Sequence, residues 1–135
     1  MSVTFNDTEQ KFVFDFKHDG AEDVGLTIQR AVDVAHKKIN LYHYGIVVMP
    51  KNRTKDNQYM LRYIYRFNQP RLYSVDDILS KSMDKKLCSM IRQQNVLVID
   101  DVSSSGSTLN EVLHTLRILN EDNEITIFSL ITHGV

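Results

Sequence analysis

At 135 residues the chain has the length of one domain, with 42% hydrophobic and 24% charged residues, two prolines and five glycines. This composition excludes a disordered, low-complexity or fibrous protein and predicts a single domain over residues 1–135. Cys88 is the only cysteine, so no intramolecular disulfide braces the core. No window holds the 18 or so consecutive apolar residues of a membrane helix, and MSVTFNDTEQ lacks the basic-then-apolar order of a secretory signal. The expectation is a cytoplasmic protein with no membrane partner. The formal charge of -1 hides an asymmetry: from Lys51 to Arg71 six bases (Lys51, Arg53, Lys55, Arg62, Arg66, Arg71) face one acid, Asp56, a local +5 that leaves -6 for the remainder. One surface is built to meet an anion.

Along the chain, hydrophobic periodicity alternates between strand and helix. Lys11 to Phe16 alternates aromatic or branched residues with polar ones, as a half-buried strand does. Val24, Ile28, Ala31, Val32, Ala35 and Ile39 recur at three- and four-residue spacing, which predicts an amphipathic helix from Asp23, its cap, to about Asn40. Gly45 to Met49 is a continuous apolar run before Pro50, the pattern of a strand covered on both faces in a parallel sheet. Residues Asn57 to Phe67 return to helical spacing, with Met60, Leu61, Ile64 and Phe67 on one side and Tyr59, Arg62, Tyr63 and Arg66 on the other. A short strand at Leu72–Val75 and one helical turn at Asp76–Leu79 follow, and Ser80–Gln94 reads as partly helical and partly mobile. Val96 to Ile99 is a buried strand, Asp100 to Ser107 a loop, Thr108 to Leu119 a helix and Ile125 to Ile131 a final strand. Buried strands alternating with helices of this length specify an α/β fold, an open and mostly parallel sheet with helices on both faces. In such sheets ligands bind beyond the carboxyl ends of the strands.

The segment Val96 to Leu109, VLVIDDVSSSGSTL, carries the most chemistry. A helix amino terminus offers unsatisfied amides and partial positive charge, so a loop that can approach closely there is a natural phosphate cradle. Gly106 supplies the backbone freedom, and Ser104, Ser105, Ser107 and Thr108 supply hydroxyls without bulk. Asp100 and Asp101, themselves anions, suit the vicinal hydroxyls of a sugar or a magnesium ion. Taken together they describe a site for a ribose 5-phosphate. Taken singly, a Ser/Gly loop is an ordinary connector and an Asp-Asp pair an ordinary turn. The segment is neither a Walker-type P-loop, having no Lys after its Gly, nor a three-glycine dinucleotide fingerprint.

This segment resembles the phosphoribosyl pyrophosphate (PRPP) motif of the type I phosphoribosyltransferases: four apolar residues, two acids, then a Thr/Ser-rich turn with Gly and Thr. Serines at Ser104 and Ser105 stand where threonines are common in that family. The resemblance implies a phosphoribosyltransferase-like core with a minimal hood. It also implies that Asp100 and Asp101 hold the ribose hydroxyls, directly or through magnesium, and act in catalysis, while Ser104, Ser105, Gly106, Ser107 and Thr108 wrap the 5-phosphate. Pro50, Lys51, Asn52 and Arg53 stand where the family has a loop that binds pyrophosphate. An ordinary solvated basic turn reads the same way. Ser80–Gln94, with Lys81, Lys85, Lys86 and Arg92, stands where the family has a segment that closes over the site.

The implied activity is transfer of phosphoribosyl from PRPP to a nitrogen acceptor, a nucleobase in most of the family, with release of pyrophosphate. The few residues before the first helix and after the last strand leave little material for a base-binding hood. The alternative is therefore a non-catalytic member that senses PRPP or a nucleotide and regulates a partner. Contact with RNA through Arg62 and Arg66, interleaved with Tyr59 and Tyr63, is a lesser expectation, and a homodimer is an expectation from the family. A receiver-type phosphorylation domain fits poorly, since its acids follow the first strand. The five histidines show no metal-ligand spacing, and Cys88 has no evident base.

Overall fold

A computed structural model describes residues 9–18, 24–49, 55–80, 85–101, 107–119 and 124–134, with the backbone alone for 9–18, 24, 55–56, 100–101, 107–110 and 130–134. The elements in chain order are β1 (Glu9–His18), α1 (Val24–Ile39), a 3-10 turn (Leu41–His43), β2 (Tyr44–Met49), α2 (Lys55–Ile64), β3 (Arg71–Ser74), α3 (Val75–Leu79), α4 (Lys85–Gln93), β4 (Asn95–Asp101), α5 (Ser107–Leu119) and β5 (Ile125–Gly134). They form one five-stranded sheet in the order β1-β5-β4-β2-β3, and every pairing is parallel. The α/β class and open parallel sheet expected from the alternating pattern are thus present.

The two faces of the sheet are covered by different helices. On one, Ile28, Ala31, Val32, Ala35 and Ile39 of α1 and Met60, Leu61 and Ile64 of α2 pack on Val47, Met49, Leu97, Ile99 and Phe128. On the other, Ile78 of α3, Leu87 and Ile91 of α4 and Val112, Leu113 and Leu116 of α5 pack on Ile46, Val48, Val96, Val98, Ile125 and Ile127. Successive residues of a strand face opposite sides, so the unbroken apolar runs of β2 and β4 feed both layers at once. Each fully buried aliphatic side chain stabilises this arrangement by roughly 1.5–3 kcal/mol.

Where elements differ from the periodicity, a local hydrogen-bond pattern decides. Ser74 ends β3 and caps α3: its hydroxyl accepts from the Asp77 amide at 3.1 Å while the Asp77 carboxylate accepts from the Ser74 amide at 2.9 Å. This reciprocal capping box puts Val75 in the helix rather than the strand. Helix α2 closes three residues early, at Ile64, because its end tightens to i→i+3 bonds, Arg66 N–H to the Tyr63 carbonyl at 3.2 Å and Phe67 N–H to Ile64 at 2.9 Å. The expected cap Asp23 lies outside the described residues.

Strand β2 bulges at Gly45, where Tyr44 pairs with Asn95 and Ile46 with the next residue, Val96. A β-carbon at Gly45 would overlap the Gln94 side-chain amide, so glycine lets this end of α4 close over the bulge.

Candidate functional site

The path of the chain through the sheet marks one crevice. From β2 it crosses by α2 to β3 on one side, and from β4 it crosses by α5 to β5 on the other, with the two helices on opposite faces. Neighbours β2 and β4 are therefore the topological switch point, and the space beyond their carboxyl ends is where open α/β sheets receive ligands. The residues that follow these two strands are 50–54 and 102–106, the segments that hold Lys51, Asn52, Arg53 and Ser104, Ser105, Gly106. Those six candidates lie outside the described residues.

The other four are described in their backbone. Asp100 and Asp101 belong to β4, paired with Ser129 and Leu130 of β5. This corrects the expected loop beginning at Asp100. The apolar run ends at Ile99, yet β5 continues to Gly134 and offers backbone partners for two residues more. Ser107 and Thr108 open α5, so the hydroxyl-rich stretch leads into a helix amino terminus as expected, one residue earlier than the periodicity places it.

Two polar residues that the motif does not contain stand at the same carboxyl edge. Asn57 is fully buried in the first turn of α2, the helix that follows the Lys51–Arg53 segment. It sits at the i-3 position of Met60 and so on the apolar face of the helix, a conflict visible in the sequence and a signal for this site. Ser129, 4% exposed, interrupts the apolar ITIFSLI run next to Asp100 in register. The one further buried polar residue described, Thr126, lies nearer the amino end of β5, where its hydroxyl is 2.6 Å from that of Tyr44.

Residues 85–93 of the expected closing segment form helix α4, anchored by buried Leu87 and Ile91. An apolar stripe at positions 87, 90 and 91 explains the helix despite the high lysine content. Lys85 and Lys86, both exposed, open α4, and Arg92 lies in its last turn, shortly before the start of β4. Lys81 lies outside the described residues.

The basic and aromatic side of α2, considered above for RNA contact, packs in part against α1. Tyr59 and Tyr63 are half-buried against the α1–α2 core and stack on each other with 6.2 Å between ring centres. Arg66 forms an ion pair with Asp33 of α1 at 2.7 Å and lies 5.2 Å from the centres of both the Tyr63 and Phe67 rings. Phe67 in turn stacks on His36 at 4.1 Å. Arg66 and its aromatic neighbours thus form the seam between α1 and α2, and Arg62 stays exposed.

Among the described residues no group of three or more His, Cys, Asp or Glu side chains is arranged to hold a metal ion, and no helix is long and apolar enough to cross a membrane. No protein-family model matches the chain, and no curated protein matches it.

Proposed function

We propose that the chain is a phosphoribosyltransferase-type domain that binds PRPP or a related ribose 5-phosphate and transfers its phosphoribosyl group to a nitrogen acceptor, a nucleobase in the simplest case. The observation that carries this reading is the position of VLVIDDVSSSGSTL: its apolar half is the central strand, β4, and its last residues open α5 at the switch point. Two acids end a strand, and a Ser/Gly stretch leads to helix amides. That order offers acceptors to a diol and donors to a phosphate within one crevice. The basic Lys51–Arg53 segment follows the adjacent strand β2, on the side where a second anionic group of the same ligand would lie.

In the reaction, the lone pair of the acceptor nitrogen forms a bond to the anomeric carbon, the bond from that carbon to the pyrophosphate oxygen breaks, and the nitrogen gives up a proton. No covalent intermediate with the protein is needed. Lys51, Arg53 and loop amides neutralise the pyrophosphate as it leaves, and Asp100 and Asp101 hold the ribose against the incoming nitrogen. Asp100 and Asp101 supply two carboxylates at the end of β4. This donor set fits magnesium, which keeps its waters and substrate oxygens and takes only one or two protein carboxylates. Bound with the ligand, the ion would supply charge to the leaving pyrophosphate.

Titration calorimetry with PRPP and magnesium tests the binding, and pyrophosphate release with a panel of nucleobases tests the transfer. Saturable binding with turnover supports the enzyme. Binding with no turnover for any acceptor makes the domain a PRPP-responsive regulator. Absence of binding at ~1 mM ligand, which bounds the affinity near -4.1 kcal/mol, overturns both.

A further inference from the structure

The two edges of the sheet differ in length. At one edge β3 has four residues and follows Pro70, a short strand behind a residue that cannot donate to a ladder. At the other edge β1 has ten residues, with neither proline nor glycine among them. It pairs with β5 over its whole length, from Glu9 to His18, and among the described residues no strand pairs with its outer side. An edge strand of this length leaves a row of backbone donors and acceptors open to another strand. Register assigns its positions to faces. Phe12 pairs with Phe128 of the α1–α2 core and Lys11 with Ile127 of the α5-side core. Partners across a sheet share a face and successive residues alternate, so positions 10, 12, 14 and 16 belong to the α1 face and positions 9, 11, 13, 15 and 17 to the α5 face. The second set reads Glu9, Lys11, Val13, Asp15, Lys17, with opposite charges at matching positions on either side of Val13.

We infer that β1 is a homodimer interface, pairing antiparallel with β1 of a second copy about a two-fold axis at Val13 so that two sheets become one. Glu9 then falls opposite Lys17 and Lys11 opposite Asp15, each pair occurring twice because the interface is isologous, and Phe12 falls opposite Phe14. Opposite charges and aromatic pairs directly across two strands stabilise them, and like charges there do the reverse. That rule selects the register. An axis at Lys11 or at Asp15 sets that residue against its own copy, an axis at Phe12 sets Glu9 against Asp15, and an axis at Phe14 sets Lys11 against Lys17. Axes further out pair no more than half of the strand. Only the axis at Val13 pairs nearly all of β1 and joins opposite charges with no like ones. Strand β5 separates β1 from the β4–β2 crevice, so the inference stands apart from the ligand site proposed above.

The test is sedimentation velocity of the whole chain at low ionic strength, where exposed charge pairs are least screened. Wild type is expected at twice the 15.7 kDa of one chain. Lys11→Glu/Lys17→Glu makes all four charged positions of this face acidic, and Glu9→Lys/Asp15→Lys makes them all basic, so either variant faces its own copy with like charges only. Each is expected to self-associate at least tenfold more weakly than wild type. Mixed in equal amounts, the two restore opposite charges at every pair and are expected to form a heterodimer. Thermal melting reports whether each variant is folded. Should either fail to fold, Lys17→Glu alone takes its place: it sets Glu9 against a like charge and weakens the dimer, and adding Glu9→Lys restores it. Positions 9 and 17 of one strand are ~26 Å apart, so that recovery can come only from a second copy. Wild type that stays monomeric at ~100 μM would leave the edge to some other extended segment and overturn the inference. So would dimers as tight in the charge variants as in wild type, a mixture of folded acidic and basic variants that does not associate, or a Lys17→Glu defect that Glu9→Lys does not repair.

Discussion

The amino and carboxyl edges of the sheet use polar side chains in opposite ways. At the amino edge, asparagines satisfy the backbone where helices turn back into strands. Asn40 adopts a left-handed conformation, φ 49°, and its side chain accepts from the Tyr42 amide at 3.2 Å. The Asn68 amide donates to the Tyr44 carbonyl at 2.6 Å, and Asn95 donates to the His43 carbonyl at 3.1 Å while accepting from the Glu124 amide at 2.8 Å. His36 completes this edge by accepting the Leu41 amide on Nδ1 at 3.1 Å. At the carboxyl edge β4 instead ends on two acids and Ser107 and Thr108 open α5, while Asn57 and Ser129 are buried polar residues of α2 and β5. The contrast teaches that short amides serve where the chain must be fastened to itself, whereas the acids and hydroxyls at the end of β4 and the start of α5 are the groups on which the proposed ligand site rests.

Substitutions at the two edges should therefore fail differently, and the largest effect belongs to the carboxyl edge. Gly106→Val is expected to cut PRPP affinity at least a hundredfold, about 2.7 kcal/mol, by filling the cradle and restricting its backbone. Its melting temperature should stay close to wild type. A variant that melts early but binds PRPP when folded would place Gly106 with the fastening residues instead.

Next in size is the hydroxyl pair inside the core, the clearest internal control. Tyr44→Phe removes the buried hydrogen bond between the Tyr44 and Thr126 hydroxyls and is expected to destabilise by about 1 kcal/mol in chemical unfolding, with ligand affinity unchanged in the folded protein. Asn68→Ala, at the amino edge, should cost about 1 kcal/mol, roughly 4 °C in melting temperature for a chain of this length, again without loss of affinity. The smallest effect is expected at the α1–α2 seam. Asp33→Ala breaks an ion pair whose side chains are 44% and 39% exposed, so a change below about 1 kcal/mol, further reduced in high salt, is predicted.

Much of the fold was legible because β2 and β4 are buried on both faces and carry unbroken apolar runs, a pattern that few other elements produce. Helices α1 and α5 were equally plain from their three- and four-residue spacing. Less legible was whatever depends on neighbours far along the chain. Asp100 and Asp101 read as a loop because their own residue types favour turns, but β5 extends past them and holds them in the sheet. Tyr59 and Tyr63 read as the polar side of α2 because they stand beside arginines, whereas both are half-buried against the α1–α2 core. Helix α4 was obscured by its lysines, although Leu87 and Ile91 already marked its apolar stripe.

At the candidate site, the motif identified the central strand and the helix opening, and Asn57 was overlooked as one polar residue in an otherwise apolar helical face. The register that sets Ser129 beside Asp100 requires the order of the strands and cannot be deduced from either segment alone.

The most direct measurement is a calorimetric titration of PRPP with magnesium into wild-type protein and Gly106→Val in parallel. Saturable one-site binding by the wild type, lost in the variant while both remain folded, is the predicted result. Equal binding by the two proteins, or none by the folded wild type at ~1 mM PRPP, would contradict a ribose-phosphate site at the end of β4.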